Sequence, residues 1–585
     1  MKKCAWAMFL LALVFPALLM AQTDTVDVPD LYDLTAGGEG TLNNAITAKI
    51  SAGTLSNTVF RLKLYGEYVL SSTIKVPAGM KLTLIAPDPG TTQETCPPLI
   101  CWTPSSGVDR TFNFDCYGDI YMKNIWLLYA STNTDGLGTQ YGSALEIDQD
   151  TTDNVNNAVF ENVIFDYAPI SNSGGSVTVT AAHARLKFTN CYFKNNTDTH
   201  FRYYGRAVSF PYNTQGWHID SLSFENTTFA NMGYVYMQEG AEYADYASFN
   251  HCTFLNTVMY TLESGWWWWL SVTNCVFVNP YMFGYIPGSD GNTPVGGTVN
   301  IDTIGTSNFN FLVPFTESQR HILFANNSYF VEQWLRDYYA GGNPYSDTAT
   351  TWKPQPQPIM SEKTRIFFND KTTWPYISMA NVYDSTNPGF LIPPTNVEGI
   401  RSFLLRKWTD NSDTTWAFNP NDDINQKWPM SEQLRYTNTK CKTGAMGGFP
   451  LGDLYRWWNS LPTTYSGWKA QAATEHQNIT NMLTNGVTAV DENSVGRPLD
   501  YELGQNYPNP FNPSTQISYA VPQSAHVTLK VYNVLGMEVA TLFSGVQDAG
   551  SHQATFDASR LSSGVYFYRL EAANVSITKK MVFMK

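Results

Sequence analysis

Phe188-Thr-Asn190-Cys191-Tyr-Phe193 is one copy of a phrase that recurs along the middle of the chain. Phe160-Glu-Asn162-Val-Ile-Phe165 precedes it. Phe224-Glu-Asn226-Thr-Thr-Phe229, Phe249-Asn-His251-Cys252-Thr-Phe254 and Val272-Thr-Asn274-Cys275-Val-Phe277 follow. Weaker copies stand at Met122-Lys-Asn124-Ile-Trp126 and Phe324-Ala-Asn326-Asn-Ser-Tyr329. The anchors at 162, 190, 226, 251 and 274 lie 28, 36, 25 and 23 residues apart. Periods of ~20–50 residues mark solenoids, and each copy here is strand-like. The flanking apolar residues point into a narrow core, and the Asn takes a tight bend between two strands. Asn suits such a bend because it tolerates left-handed backbone angles. Coils stacked ~4.8 Å apart would align these Asn side chains in a ladder. Cys191, Cys252 and Cys275 then read as small apolar groups stacked inside the next strand. Asn226-Thr-Thr also fits a glycosylation acceptor, but the ladder accounts for it better.

Working outward, Thr41-Leu42-Asn-Asn-Ala45-Ile46 reads as an amphipathic helix. Tyr68-Val-Leu-Ser-Ser-Thr73-Ile74-Lys-Val76 and Leu82-Thr-Leu-Ile85 alternate as strands. With the repeats, this resembles the pectate-lyase-like family of right-handed parallel β-helices over about residues 25–335, with the helix closing the first coil. The resemblance implies the fold; one scaffold carries many activities.

Downstream, Gly341-Gly342-Asn-Pro344 and Pro354-Gln-Pro356-Gln-Pro358 suggest an extended excursion. Val397 to Trp408 and Trp468 to Leu483 read as helices. Gly447-Gly448-Phe-Pro450-Leu-Gly452-Asp453-Leu-Tyr-Arg456-Trp457 is similar to closing segments of surface β-helix proteins, which implies a cap over the last coil. From about 501, short alternating strands at Ile517–Val521, Val527–Asn533, Ala554–Phe556 and Val565–Leu570 are separated by Gly536, Gly545, Gly550 and Gly564. They predict a small immunoglobulin-like β-sandwich. Its opening, Asn506-Tyr-Pro508-Asn-Pro510-Phe511-Asn-Pro513, resembles that of type IX (Por) secretion C-terminal sorting domains. Leu529-Lys-Val-Tyr532-Asn-Val-Leu535-Gly536, Leu561-Ser-Ser-Gly564-Val-Tyr566 and Lys579-Lys580-Met-Val-Phe-Met-Lys585 follow in the same order. The resemblance implies recognition by the type IX machinery, export across an outer membrane, and attachment to the cell surface or release.

The expected class is therefore all-β, a right-handed parallel β-helix followed by a small sandwich. The expected divisions are 1–21 signal peptide, 22–340 β-helix, 341–500 linker and capping region, and 501–585 sorting domain. Lys2 and Lys3, the apolar run Ala5–Met20, and Ala21 before Gln22 form the leader pattern. No later segment is long and apolar enough to span a bilayer as a helix.

Composition narrows the functions. Hydrophobic residues at 43% with 17 Trp, 34 Tyr and 33 Phe exclude a disordered chain. Net charge is −14, and losing Lys2 and Lys3 with the leader takes it to −16. With no Lys/Arg cluster, nucleic acid is excluded as a partner. Removing Cys4 with the leader leaves seven cysteines, so at least one thiol stays unpaired, and Cys96 and Cys101 are near enough in sequence to bond. Walker, dinucleotide-binding, His-Glu-x-x-His and Gly-x-Ser-x-Gly motifs are absent.

Counting twelve residues past Asn190, Asn226 and His251 reaches Arg202, Gln238 (beside Glu239) and Glu263, a stack of polar groups on one sheet face. His200, Arg206, Glu242 and Asp245 lie close in sequence. This is either a solvated ladder of paired charges or a site. Lyases of the resembled family abstract a sugar proton with Arg or Lys, helped by carboxylate-bound calcium. The resemblance therefore implies Arg202 or Arg206 as base, with Glu239 and Glu263 in the catalytic set. Glu239, Asp245 and Glu263 would hold Ca2+. Trp266-Trp267-Trp268-Trp269 either offers two indoles to sugar rings, extended by Tyr203, Tyr204, Tyr234 and Tyr236, or is buried beneath residues 281–320. Asp148, Asp150 and Asp153 form a solvated turn or a calcium loop. The leading expectation is a secreted or surface-attached β-helix that binds, and in its lyase-like form cleaves, polysaccharide. The rival is a noncatalytic adhesin or structural surface protein.

Overall fold

The structure is a computed structural model. It describes residues 24–102, 112–128, 143–149, 156–166, 175–196, 205–210, 218–237, 243–264, 267–284, 297–304, 313–340, 356–360, 362–409, 427–459 and 464–486. Nearer the C-terminus it describes 502–504, 506, 508–521, 525–547, 550–572 and 575–585. The leader assigned to 1–21 lies outside these residues. The chain forms two compact units. One runs to Ser378 and resumes over Tyr383–Gly486; the other holds Met379–Val382 and Val487–Lys585.

The first unit is a right-handed parallel β-helix. Each coil places two short strands in one wide sheet and one strand in a narrow sheet, eight-stranded among the described residues. The repeated phrase is the corner between the two wide-sheet strands. Asn124, Asn162, Asn190, Asn226, His251, Asn274 and Asn326 all have φ between 47° and 60°, the left-handed region the bend requires. The flanking aromatics stack in register: Phe160, Phe188, Phe224 and Phe249 in one column, Phe165, Phe193, Phe229, Phe254 and Phe277 in another. Neighbouring rings in the columns sit between 4.4 Å and 5.3 Å apart. Each buried Phe contributes roughly 1.5–3 kcal/mol by leaving water, and parallel coils add such rings one per turn. The helix Thr41–Ser51 buries Leu42 and Ile46, and Asn43 Oδ1 accepts from the Ser71 amide at 2.9 Å. All seven described cysteines are buried and unpaired, so Cys96 and Cys101 form no disulfide. Cys191, Cys252 and Cys275 sit fully inside.

The anchor Asn side chains make few bonds to one another: Asn162 Nδ2 donates to Asn124 Oδ1 at 2.8 Å. Elsewhere a closing segment takes their place. Running from Gly444 to Arg456, it climbs the corner coil by coil in reverse order. Asn326 donates to the Gly444 carbonyl at 2.8 Å, and the Met446 amide donates to Asn274 Oδ1 at 2.9 Å. The Leu454 amide donates to Asn226 Oδ1 at 3.2 Å. Arg456 reaches the Asn162 side chain and the Asn190 carbonyl, both at 3.0 Å. Gly452 has φ 76°, and a Cβ there would meet Thr253 Oγ1 at 2.4 Å, so only glycine lets the segment lie this close. The segment thus covers a long side of the solenoid. Trp428, just upstream, reaches as far back as Gly90 and Gln93. Leu434, Leu451, Leu454, Trp457 and Trp468 pack on Trp126, Ile164, Leu255 and Val276. The helices expected near 397–408 and 468–483 form over Val397–Thr409 and Thr464–Asn485.

The continuous Asn ladder lies one strand further on, at Asn195, Asn231, Asn256 and Asn279, again left-handed. Each Nδ2 donates to the previous Oδ1: Asn231 at 3.3 Å, Asn256 at 3.1 Å and Asn279 at 2.9 Å.

The second unit is an antiparallel sandwich of three- and four-stranded sheets around Ile517, Leu529, Val531, Tyr568, Leu570 and Phe583. It includes two strands that alternation did not announce, Glu538–Gln547 and Val575–Phe583. Glu538–Gln547 carries no fully buried position, which hides its period.

Candidate functional site

The narrow sheet's strands keep one register from coil to coil, and several of them are buried on both faces. Ile74, Phe114, Leu145, Val177, Val208, Tyr236, Leu262 and Val299 align across the coils and point inward. The next position in each strand faces out, giving the row Lys75, Asp115, Glu146, Thr178, Ser209, Met237, Glu263 and Asn300. Consecutive coils thus set Asp115 directly beside Glu146, and Asp148 follows at the end of the same strand. A carboxylate oxygen from each lies within 4.8 Å of the others.

These acids have few partners. Lys75 Nζ approaches Asp115 Oδ2 at 3.2 Å, but the Lys75 side chain is 70% exposed. Asp115 Oδ1 is buried without a hydrogen bond. Thr180 Oγ1 lies 3.0 Å from Glu146 Oε1 and 3.2 Å from Asp148 Oδ1. Burial, reinforced by Asp148 and Asp115, pushes the Glu146 carboxyl up to about 7. Burial likewise raises Asp115 against the opposing pull of Lys75. Among the described residues, three crowded carboxylates face one exposed ammonium, which leaves the cluster short of positive charge. Its donors are all oxygen, the set a hard divalent cation such as Ca2+ takes. The orphaned Asp115 oxygen gives such an ion a ligand that nothing else uses.

Of the residues singled out in the sequence, Arg202, Glu239, Tyr203, Tyr204 and Trp266 lie outside the described residues, as do His200, Glu242, Asp150 and Asp153. Arg206 is fully buried. Its Nη1 donates to Ser209 Oγ at 3.1 Å, and its guanidinium sits over the Tyr234 ring. The structure thus places Arg206 inside the solenoid, against Ser209 and Tyr234. Tyr234 and Tyr236 lie in the core because they occupy inward positions, and Trp267 packs 4.8 Å from Tyr236. Trp268 stacks on Phe315 at 5.0 Å, and Trp269 stacks on His321 at 3.7 Å. Stacked coils direct ring faces at one another, so these indoles have a face taken by a neighbouring ring. Glu263 lies on the narrow sheet's outer row, whereas Asp245 belongs to the wide sheet and pairs with His218 at 2.9 Å. The strand register places Met237, not Gln238, beside Glu263. Counting from the anchors slips because loops of unequal length intervene.

Sequence reasoning missed the pairing of Asp115 with Glu146. The available signal was a carboxylate alternating with core residues in Phe112-Asn-Phe-Asp-Cys116 and again in Ala144-Leu-Glu-Ile147.

The geometry defines a parallel β-helix followed by a separate C-terminal sandwich. Residues 505–584 match the family described as secretion system C-terminal sorting domain. No curated protein matches the chain. The sorting domain engages the type IX secretion machinery and delivers the protein to the cell surface or the extracellular space. Among the described residues, no helix is long and apolar enough to cross a membrane.

Proposed function

We propose that this exported β-helix binds polysaccharide through the outer face of its narrow sheet, with a divalent cation held by Asp115, Glu146 and Asp148. The observation that carries the reading is the meeting of these three carboxylates on adjacent coils with a buried oxygen unpartnered. A cation there would neutralise the cluster and present open coordination positions to sugar hydroxyls or uronate groups. The reading is one of binding: of the two candidate bases, Arg206 is buried against Ser209 and Tyr234, and Arg202 lies outside the described residues.

The test is a glycan array with the mature protein, with and without calcium, alongside a lyase screen that follows ultraviolet absorbance of unsaturated products. Calcium-dependent binding without product, lost in Asp148→Asn, supports the reading. Product formation would establish a lyase instead. No binding across a broad panel would leave a structural surface protein.

A further inference from the structure

On the other side of the solenoid, Asp166 and Lys194 are register partners on adjacent wide-sheet strands. Glu432, upstream of the closing segment, packs over them. Lys194 Nζ lies 3.7 Å from Asp166 Oδ2 and 3.3 Å from Glu432 Oε1, with the three side chains only 3%, 9% and 4% exposed. Trp126 and Tyr192 wall the amine, their ring centroids 5.3 Å and 5.6 Å from Nζ. Two donors converge on the Asp166 carboxyl: Asn195 Nδ2 on Oδ1 at 2.9 Å and Trp126 Nε1 on Oδ2 at 3.2 Å. Glu432 is itself fixed by the Tyr192 hydroxyl at 3.2 Å.

We propose that this is the site of an autocatalytic cross-link, an amide between Lys194 Nζ and Asp166 Cγ, with Glu432 carrying the protons. An amine, a carboxyl polarised by two donors and a second carboxylate touching the amine are the groups such a condensation needs. They meet in a dry, aromatic-walled site where the reactants are held in contact. Glu432 takes a proton from the Lys194 ammonium, and the freed lone pair attacks Cγ of the Asp166 carboxylic acid. The oxygen that becomes negative is held by Asn195 or Trp126. Nζ then loses a second proton, the Asp166 hydroxyl gains one through Glu432, and water leaves. The products are one amide, one water and a protonated Glu432; nothing is oxidised or reduced. Burial raises the Asp166 carboxyl toward the neutral form the attack needs, Lys194 holds Glu432 below the usual carboxylate range, and the two carboxylates raise the Lys194 amine against its burial. The end state replaces buried charges with neutral groups, which removes a desolvation penalty. It also gives the exported solenoid a covalent tie between coils, where none of the described cysteines forms one.

The test is tryptic peptide mapping by tandem mass spectrometry on the exported full chain, denatured before digestion. The expected result is a branched peptide joining the Asp166 segment to the Lys194 segment, lighter than the two together by one water and uncut at Lys194. In Glu432→Gln the two segments should return as separate linear peptides, and in Lys194→Arg, which keeps the positive charge, no branch can form. Wild-type protein that yields unmodified linear peptides for both residues overturns the proposal, whatever the variants do. A branch that persists in Glu432→Gln overturns the assignment of Glu432.

Discussion

The wide and narrow sheets both carry buried carboxylates on their outer faces, in opposite electrostatic states. On the wide sheet, Glu225 of the solenoid and Glu475 of the covering helix each meet a histidine across the contact between the two. Glu475 of the helix Thr464–Asn485 lies 3.3 Å from His251 of the solenoid, both fully buried. One residue on, the roles reverse, with His476 of the helix 2.5 Å from Glu225 of the solenoid. His251 holds Glu475 down at about 2 against its burial, and His476 holds Glu225 below its usual range. On the narrow sheet, Asp115 and Glu146 face each other and Asp148, and both are raised. The same fold thus makes one face a finished internal interface, while on the other the described residues leave the acids short of positive charge. Acids perturbed by burial and by one another are candidate functional groups.

The largest effect should come from breaking the finished face. His251 Nδ1 faces the Gly452 carbonyl at 3.2 Å and Nε2 faces Glu475. Asn250 Nδ2 and Trp468 Nε1 also donate to Glu475 Oε1, at 3.0 Å and 3.1 Å. Removing the carboxylate in Glu475→Ala leaves these buried groups without their acceptor, at a cost of about 3–5 kcal/mol. The expected readouts are a lower chemical-denaturation midpoint and early proteolysis within 464–485. A change below about 1 kcal/mol would mean the helix is held by apolar packing alone.

The two faces should next separate by pH, with opposite signs. Glu475 sits below the ordinary 4.5, so its contribution is complete above that value and lost as pH falls toward about 2. Glu146 sits above 4.5, so its stability is complete below 4.5 and lost as pH rises through about 7. Each shift corresponds to about 3 kcal/mol at most. Glu146→Gln should therefore raise the thermal midpoint at pH 8 and leave it unchanged at pH 4. Calcium should give the wild type the same gain at pH 8 and give the variant less. A wild-type midpoint indifferent to both pH and calcium would place the narrow-sheet cluster with the finished face.

How far this contrast was legible in the sequence follows from where the anchors fall. From Asn162 onward each coil announces itself, and the fold, the buried cysteines and the left-handed corners could be read directly. The second Asn row was equally visible as Phe193-Lys-Asn195, Phe229-Ala-Asn231, Phe254-Leu-Asn256 and Phe277-Val-Asn279. It was overlooked because the first Asn already explained a corner. Of the acid cluster only Asp148 stood out, as a calcium candidate with Asp150 and Asp153. Asp115 precedes the first anchor and a long connection separates it from Glu146, so no count aligned them. The closing segment's route was hidden for another reason: its bonds to Asn226 and Asn274 span roughly 170 to 230 residues and use backbone groups, which carry no sequence signature.

The smallest expected effect is the most discriminating. Lys75 is the cation that touches the narrow-sheet cluster, and it does so from solvent. An exposed pair of this kind contributes roughly 0–1 kcal/mol, so Lys75→Met should barely move the thermal midpoint in the absence of calcium. Its removal should nonetheless matter to an incoming ion, because an ammonium beside Asp115 competes for the same oxygen and repels a second positive charge. Lys75→Met should therefore bind calcium more tightly than the wild type by calorimetry, even as Asp115 loses the group that opposes its rise. If Lys75 were instead the cluster's structural counter-ion, as His251 is for Glu475, the variant would lose stability outright and calcium affinity would not improve. The sign of the change in affinity thus decides whether the narrow face is a site or a second interface.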